Sequence, residues 1–95
     1  MKVYIAGKIG DLPVEEYTKK FNGAHKYLER HGYDVVSPIK LPHAHSRTWA
    51  AYMLENLAAL SECEGIAMLP NWMDSPGARI EHAFAYRMGL EIFYL

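Results

Sequence analysis

Glu64-Gly65-Ile66-Ala67-Met68-Leu69-Pro70 is followed by Asn71-Trp72-Met73-Asp74 and then by Ser75-Pro76-Gly77-Ala78-Arg79-Ile80-Glu81. The apolar run from Glu64 to Leu69 predicts a strand buried on both faces, stopped by Pro70. Residues 71–74 form a loop. Ser75 is a strong helix N-cap type and Pro76 suits the first helical position, so a helix opens there and closes at Gly89. Glu91 to Leu95 then reads as another strand. Two short strands joined through a helix read as a βαβ unit, which points to an α/β class for the chain.

Working outward, Lys2 to Ala6 predicts a first strand that ends at Gly7. A loop carrying Gly10 leads to Pro13 in the first turn of a helix reaching about Arg30. Tyr17, Phe21, Ala24 and Leu28 recur at spacings of three and four, which places them on one buried stripe. Gly32 ends this helix. Tyr33 to Ser37 is a second strand stopped by Pro38, and residues 38–45 form a loop with two prolines and two histidines. From Ser46 or Thr48 a second helix runs to Leu60 or Ser61 with Met53, Leu57 and Leu60 inward. The expected architecture is a three-layer flavodoxin-like or Rossmann-like sandwich with a mostly parallel four-stranded sheet in the order 2-1-3-4.

The chain's 95 residues fit one domain. A domain of this size buries a modest share of its surface, so a homodimer or higher homo-oligomer is expected. Ten Lys plus Arg against eleven Asp plus Glu give a net charge of −1, too little to draw in a nucleic-acid backbone or an acidic membrane. Any bound anion must be held locally. Cys63 is the single cysteine, which excludes internal disulfides and thiolate-rich zinc sites and fits a reducing cytoplasm. No stretch approaches the roughly 20 apolar residues of a membrane span, and Val3-Tyr4-Ile5-Ala6 is too short for a signal peptide. A soluble, unprocessed, cytoplasmic protein is expected.

Ligands of parallel sheets bind at strand carboxyl ends, which selects Gly7 to Leu12, Pro38 to His45 and Pro70 to Gly77. At Ser75-Pro76-Gly77-Ala78 a helix N-terminus offers N–H groups and a positive dipole end to an anion, and Gly77 permits close approach. Glu81 shares a side with Ala78 and Ala85. That small-residue surrounding suits a nucleophile with room for substrate, while the plainer reading has Glu81 complement the helix dipole. Gly7-Lys8-Ile9-Gly10 is glycine-rich and carries a cation, yet matches neither dinucleotide nor P-loop pattern. His43 and His45 lack a third ligand for a metal, so neither a metal nor a cofactor is expected, and a substrate contact is the sharper role for either. Trp72 either stacks on a base or covers core. Trp49 is read as packing. Glu55 is either an acid facing the pocket or solvated, and Cys63 is a buried small apolar residue.

Tyr4-Ile5-Ala6-Gly7 together with Ser75-x-Gly77-Ala78-x-x-Glu81-x-x-x-Ala85-x-x-x-Gly89 resembles the nucleoside 2-deoxyribosyltransferase superfamily over nearly the whole chain. The likeness is closest to its small DUF4406-like branch of bacteria and phages, whose order of motifs is matched by Cys63-Glu64, Leu69-Pro70-Asn71-Trp72 and Ser75 to Glu81. The resemblance implies one deoxyribosyltransferase-like domain over residues 1–95. It implies that Glu81 attacks the anomeric carbon of a nucleoside to form a covalent glycosyl-enzyme, that Tyr4 orients it, and that Glu55 stands where relatives carry an aspartate acid. Relatives acting on free nucleosides have an acid at the Ser75 position, whereas those hydrolysing 5′-monophosphates have serine, so a (deoxy)nucleoside 5′-monophosphate is the expected substrate. Gly7, Lys8, Ile9, His43, His45, Trp72, Ser75, Gly77 and Ala78 are the expected substrate contacts. Better-known relatives continue past the fourth strand. Here the 38–49 loop, with His43, His45 and Arg47, completes the pocket, or the pocket is open. The alternatives to an N-glycosidase are a base-exchanging transferase, a nucleotide-binding or sequestering module, and a purely structural oligomer.

Overall fold

In β1 (Lys2–Ala6) side chains alternate between the two faces of a sheet, and both faces are covered. Val3 and Ile5 pack with Phe21, Ala24 and Leu28 of α1 (Val14–Arg30), while Tyr4 and Ala6 face the opposite layer. That second layer holds α2 (Trp49–Ser61) and α3 (Pro76–Met88), which contribute Leu60, Ala78 and Ala85 to its core. β3 (Gly65–Met68) follows the same alternation, with Ile66 and Met68 toward α2 and α3 and Ala67 toward α1. β2 (Asp34–Val36) and β4 (Glu91–Tyr94) form the edges. The computed structural model describes residues 1–43 and 48–95.

All three strand pairings are parallel and the order is β2-β1-β3-β4. The expected flavodoxin-like α/β sandwich is therefore present, and its sheet is wholly parallel. The first crossover helix lies on one face and the next two on the other, so the chain reverses direction across the sheet between β1 and β3. A cleft at the carboxyl ends of those two strands is the geometric consequence.

Local sequence explains where the helices start and stop. Thr48 caps α2 by accepting from the Ala51 N–H at 3.1 Å, and Ser75 caps α3 by accepting from the Ala78 N–H at 3.2 Å. Gly89 ends α3 at φ 75° while the Leu90 N–H reaches back to the Ala85 carbonyl at 3.0 Å. Some boundaries differ from expectation. Pro13 occupies the cap position before α1, with extended backbone, because Val14 is the first residue to enter the helix. β2 is shorter than residues 33–37, since Ser37 already leads into a 3₁₀ turn at Pro38–Lys40. A second 3₁₀ turn, Trp72–Asp74, replaces the open loop expected after β3. Among the described residues no helix is long and apolar enough to cross a membrane.

Candidate functional site

At the carboxyl ends of β1 and β3 lies a cavity of about 250 Å³, toward the small end for a ligand pocket. One wall is the loop after β1, residues 7–11. The second is the entry to α3, from Asp74 to Ala78. The third is one face of α2, carrying Trp49, Tyr52, Met53 and Asn56. Glu81 is the buried carboxylate inside, only 4% exposed.

Glu81 faces the cavity because it lies on the stripe of α3 that also buries Ala78 and Ala85. Tyr4 comes up from β1 beneath it and donates its phenol O–H to Glu81 Oε2. Burial pushes the Glu81 carboxyl up to about 7, and the Tyr4 hydrogen bond opposes that rise. Tyr4 itself is held far above the ordinary phenol range, first by burial and then by the neighbouring Glu81 charge. The pair thus stays phenol and carboxyl, with the carboxyl balanced between its two forms near neutral pH.

Close packing fixes the walls. A Cβ on Gly7 would meet Leu69 Cδ1 at 2.5 Å, so the chain leaves β1 pressed against the end of β3. The Lys8 N–H donates to Asn71 Oδ1 at 3.1 Å and ties the two loops together. Gly77 is where α3 meets α2: a Cβ there would lie 3.0 Å from Met53 Sδ. Its missing side chain therefore serves helix packing as well as access to the backbone.

The anion-binding capacity at α3 is narrower than a bare helix N-terminus suggests. Pro76 has no N–H, the Ala78 N–H is used by Ser75 Oγ, and the Arg79 N–H bonds the Ser75 carbonyl at 3.0 Å. At the entry to α3 this leaves the Gly77 N–H and the Ser75 hydroxyl proton as donors, with Lys8 on the facing loop. Asp11 and Asp74 stand exposed at the rim, so an anion must be taken by these few donors and not by a positive field.

The structure brings Tyr4, Gly7, Lys8, Ile9, Ser75, Gly77, Ala78 and Glu81 together. It sets three expected contacts apart. Glu55 is not among the cavity-lining residues, and its carboxylate meets His43 Nδ1 at 3.0 Å. His43 packs on Tyr52 in a tilted contact, with ring centroids 4.3 Å apart, and lines a neighbouring cleft that shares Ile9, Pro38 and Tyr52 as a common wall. Trp72 is turned from the cavity toward α3, where it stacks on His82 at 4.3 Å and packs on the core. Its 3₁₀ turn directs the indole onto the helix that follows. His45 and Arg47 lie outside the described residues. Cys63 is buried, its thiol pushed up by burial and within 3.5 Å of the Ala59 carbonyl. Among the described residues no three His, Cys, Asp or Glu side chains group as metal ligands.

Sequence reading passed over Asn56, Tyr52 and Asn71, and it treated Trp49 as packing alone. Asn56 is 2% exposed beside the cavity. The signal for it was present, because Asn56 falls three residues after Met53 and four before Leu60, on the inward stripe.

A wholly parallel sheet flanked by helices on both faces, with a cavity where the chain reverses at the β1–β3 junction, defines an α/β protein of flavodoxin-like type. The chain belongs to the DUF4406 family, a domain of unknown function, which matches residues 1–94. No curated protein matches it.

Proposed function

We propose that this chain cleaves the bond between base and sugar in a (deoxy)nucleoside 5′-monophosphate, with Glu81 as the nucleophile. The observation that carries the reading is a buried carboxylate held by a phenol inside a cavity whose adjoining wall offers anion donors. The likeness of Ser75 to Gly89 to the nucleoside 2-deoxyribosyltransferases supports it. In the first step a Glu81 carboxylate oxygen bonds to the anomeric carbon. The carbon–nitrogen bond breaks, and its electron pair leaves with the base, which takes a proton from water at the open mouth. Water then attacks the same carbon, releasing the sugar phosphate and restoring the carboxylate with loss of a proton. The Gly77 N–H, the Ser75 hydroxyl and Lys8 hold the phosphate. Transfer to a second base shares the first step.

One observation favours a binding module instead: the second-helix acid, Glu55, is engaged with His43, and the α2 side of the cavity presents the amide of Asn56. Incubation with each deoxynucleoside 5′-monophosphate, with and without a free second base, separates these readings. Chromatography then reports released or exchanged base, and intact mass reports a glycosyl adduct. Release that Glu81→Gln abolishes is expected. Saturable binding without release or adduct establishes the binder, and release unaffected by Glu81→Gln removes Glu81 as nucleophile. Leu54 and Ile80 remain exposed on α2 and α3, which supports a homo-oligomer that sedimentation can test.

A further inference from the structure

Along α2, Trp49, Tyr52, Met53 and Asn56 stand at the i, i+3, i+4, i+7 spacing of one helix face, and all four line the Glu81 cavity. The last of them is unusual. Asn56 is 2% exposed, its amide is hydrogen-bonded to the Tyr52 side chain, and its Oδ1 has no partner among the described residues. Buried side-chain oxygens are nearly always hydrogen-bonded. An orphan acceptor at a cavity wall is a group whose partner arrives from the cavity.

The two helical walls differ in chemistry. The α3 wall offers donors for an anion, whereas the α2 wall offers two aromatic rings and one acceptor, which is what a flat, N–H-bearing ring needs. Glu81 lies between them in the buried interior. Resting on the nucleotide reading above, we propose that Asn56 is a specificity-determining residue whose Oδ1 accepts a hydrogen bond from an N–H of the nucleobase, with Trp49 and Tyr52 as the adjoining ring contacts. The sugar phosphate is held by the opposite wall and is indifferent to Asn56.

Calorimetric titration in a Glu81→Gln background, which prevents turnover, tests this assignment. The probes are the four deoxynucleoside 5′-monophosphates and 2-deoxyribose 5-phosphate, which has no base. Asn56→Leu, similar in size, weakens the preferred nucleotide about tenfold, the cost of an unmade hydrogen bond, and leaves 2-deoxyribose 5-phosphate unchanged. Asn56→Asp retains the acceptor and preserves the rank order of the four nucleotides. Equal weakening of nucleotide and sugar phosphate by Asn56→Leu, or no weakening of either, overturns the assignment. So does a protein that binds every nucleotide no better than the sugar phosphate, although the anion pocket then stands. Failure of all five probes to bind the Glu81→Gln protein and the wild type refutes the underlying nucleotide reading as well.

Discussion

Replacing Glu81 with glutamine removes a titrating group from the interior at nearly constant volume, and glutamine's oxygen still accepts the Tyr4 hydroxyl proton. Below pH 4.5 the carboxyl is protonated both in the unfolded chain and in the fold, so it imposes no electrostatic cost. As pH rises, the unfolded chain ionises at about the ordinary 4.5 while the folded one holds its proton to about 7. The fold then binds more protons than the unfolded state, and stability falls with rising pH. Each pH unit across that window is worth about 1.4 kcal/mol, which accumulates to about 3 kcal/mol before levelling off above pH 7. Urea unfolding of wild type and Glu81→Gln at pH 4.5, 6, 7 and 8.5 checks this, because other titrating groups cancel in the difference. The variant should gain about 3 kcal/mol on the wild type between the extremes, roughly 12–24 °C in melting temperature for a domain of this size. Parallel stability profiles would refute the buried, proton-holding carboxyl. Against a total of roughly 5–15 kcal/mol, a cost of this size makes Glu81 a net burden on stability above neutral pH.

Three further outcomes follow from the same geometry. Ser75→Ala should cost about 1 kcal/mol through loss of the α3 cap and weaken sugar-phosphate binding, whereas Ser75→Asp should keep the cap and lose the binding by charge repulsion; thermal melts and calorimetry separate the two effects. Gly7→Ala places a methyl 2.5 Å from Leu69 Cδ1 and 2.9 Å from its Cβ, so chemical denaturation should show a loss of about 1–3 kcal/mol; Gly77→Ala meets the flexible Met53 thioether at 3.0 Å and should cost less than about 1 kcal/mol. Tyr4→Phe deletes the hydrogen bond that lowers the Glu81 pKa, so on the proposed reading the pH profile of base release should shift upward.

The sheet was legible because its signals are local and agree with one another. The run from Gly65 to Leu69 has no polar side chain, so both faces had to be covered, and the Ser75-Pro76 start and Gly89 stop allowed only a crossover helix between it and the last strand. Tyr4 was reached differently. Its role came from the resemblance, and the structure supplies the reason: strand alternation sets Tyr4 opposite Val3 and Ile5, on the layer that holds α3. What sequence could not supply is how the 3₁₀ turns aim their side chains. Trp72 and Glu81 both flank the entry to α3, yet the turn at Trp72–Asp74 rolls the indole onto His82, on the outer flank of the helix. The free donors at that entry depended equally on detail, since the cap geometry of Ser75 consumes the amide of Ala78.

The neighbouring pair Glu55 and Asn56 shows how a single residue of helical phase redirects a mechanism. Consecutive helical residues point about 100° apart, so only one of the two can join Met53 and Leu60 on the inward face. Glu55 attracts attention as the acid, but it is two residues from Met53 and five from Leu60, off the stripe, and it meets His43 instead. Asn56 is three and four residues away, on the stripe, and is buried beside Glu81. An amide in that place cannot give a proton to a departing base, though it can accept a hydrogen bond from one. On the proposed reading, base cleavage draws its proton from water at the cavity mouth, and leaving groups that need little protonation should react fastest. Placing a carboxylic acid inside, as Asn56→Asp does, sets a second carboxylate near Glu81, which disfavours ionising both. If the variant gains base release at pH 6 relative to pH 8, proton supply limits the native site; an unchanged profile locates the limit elsewhere.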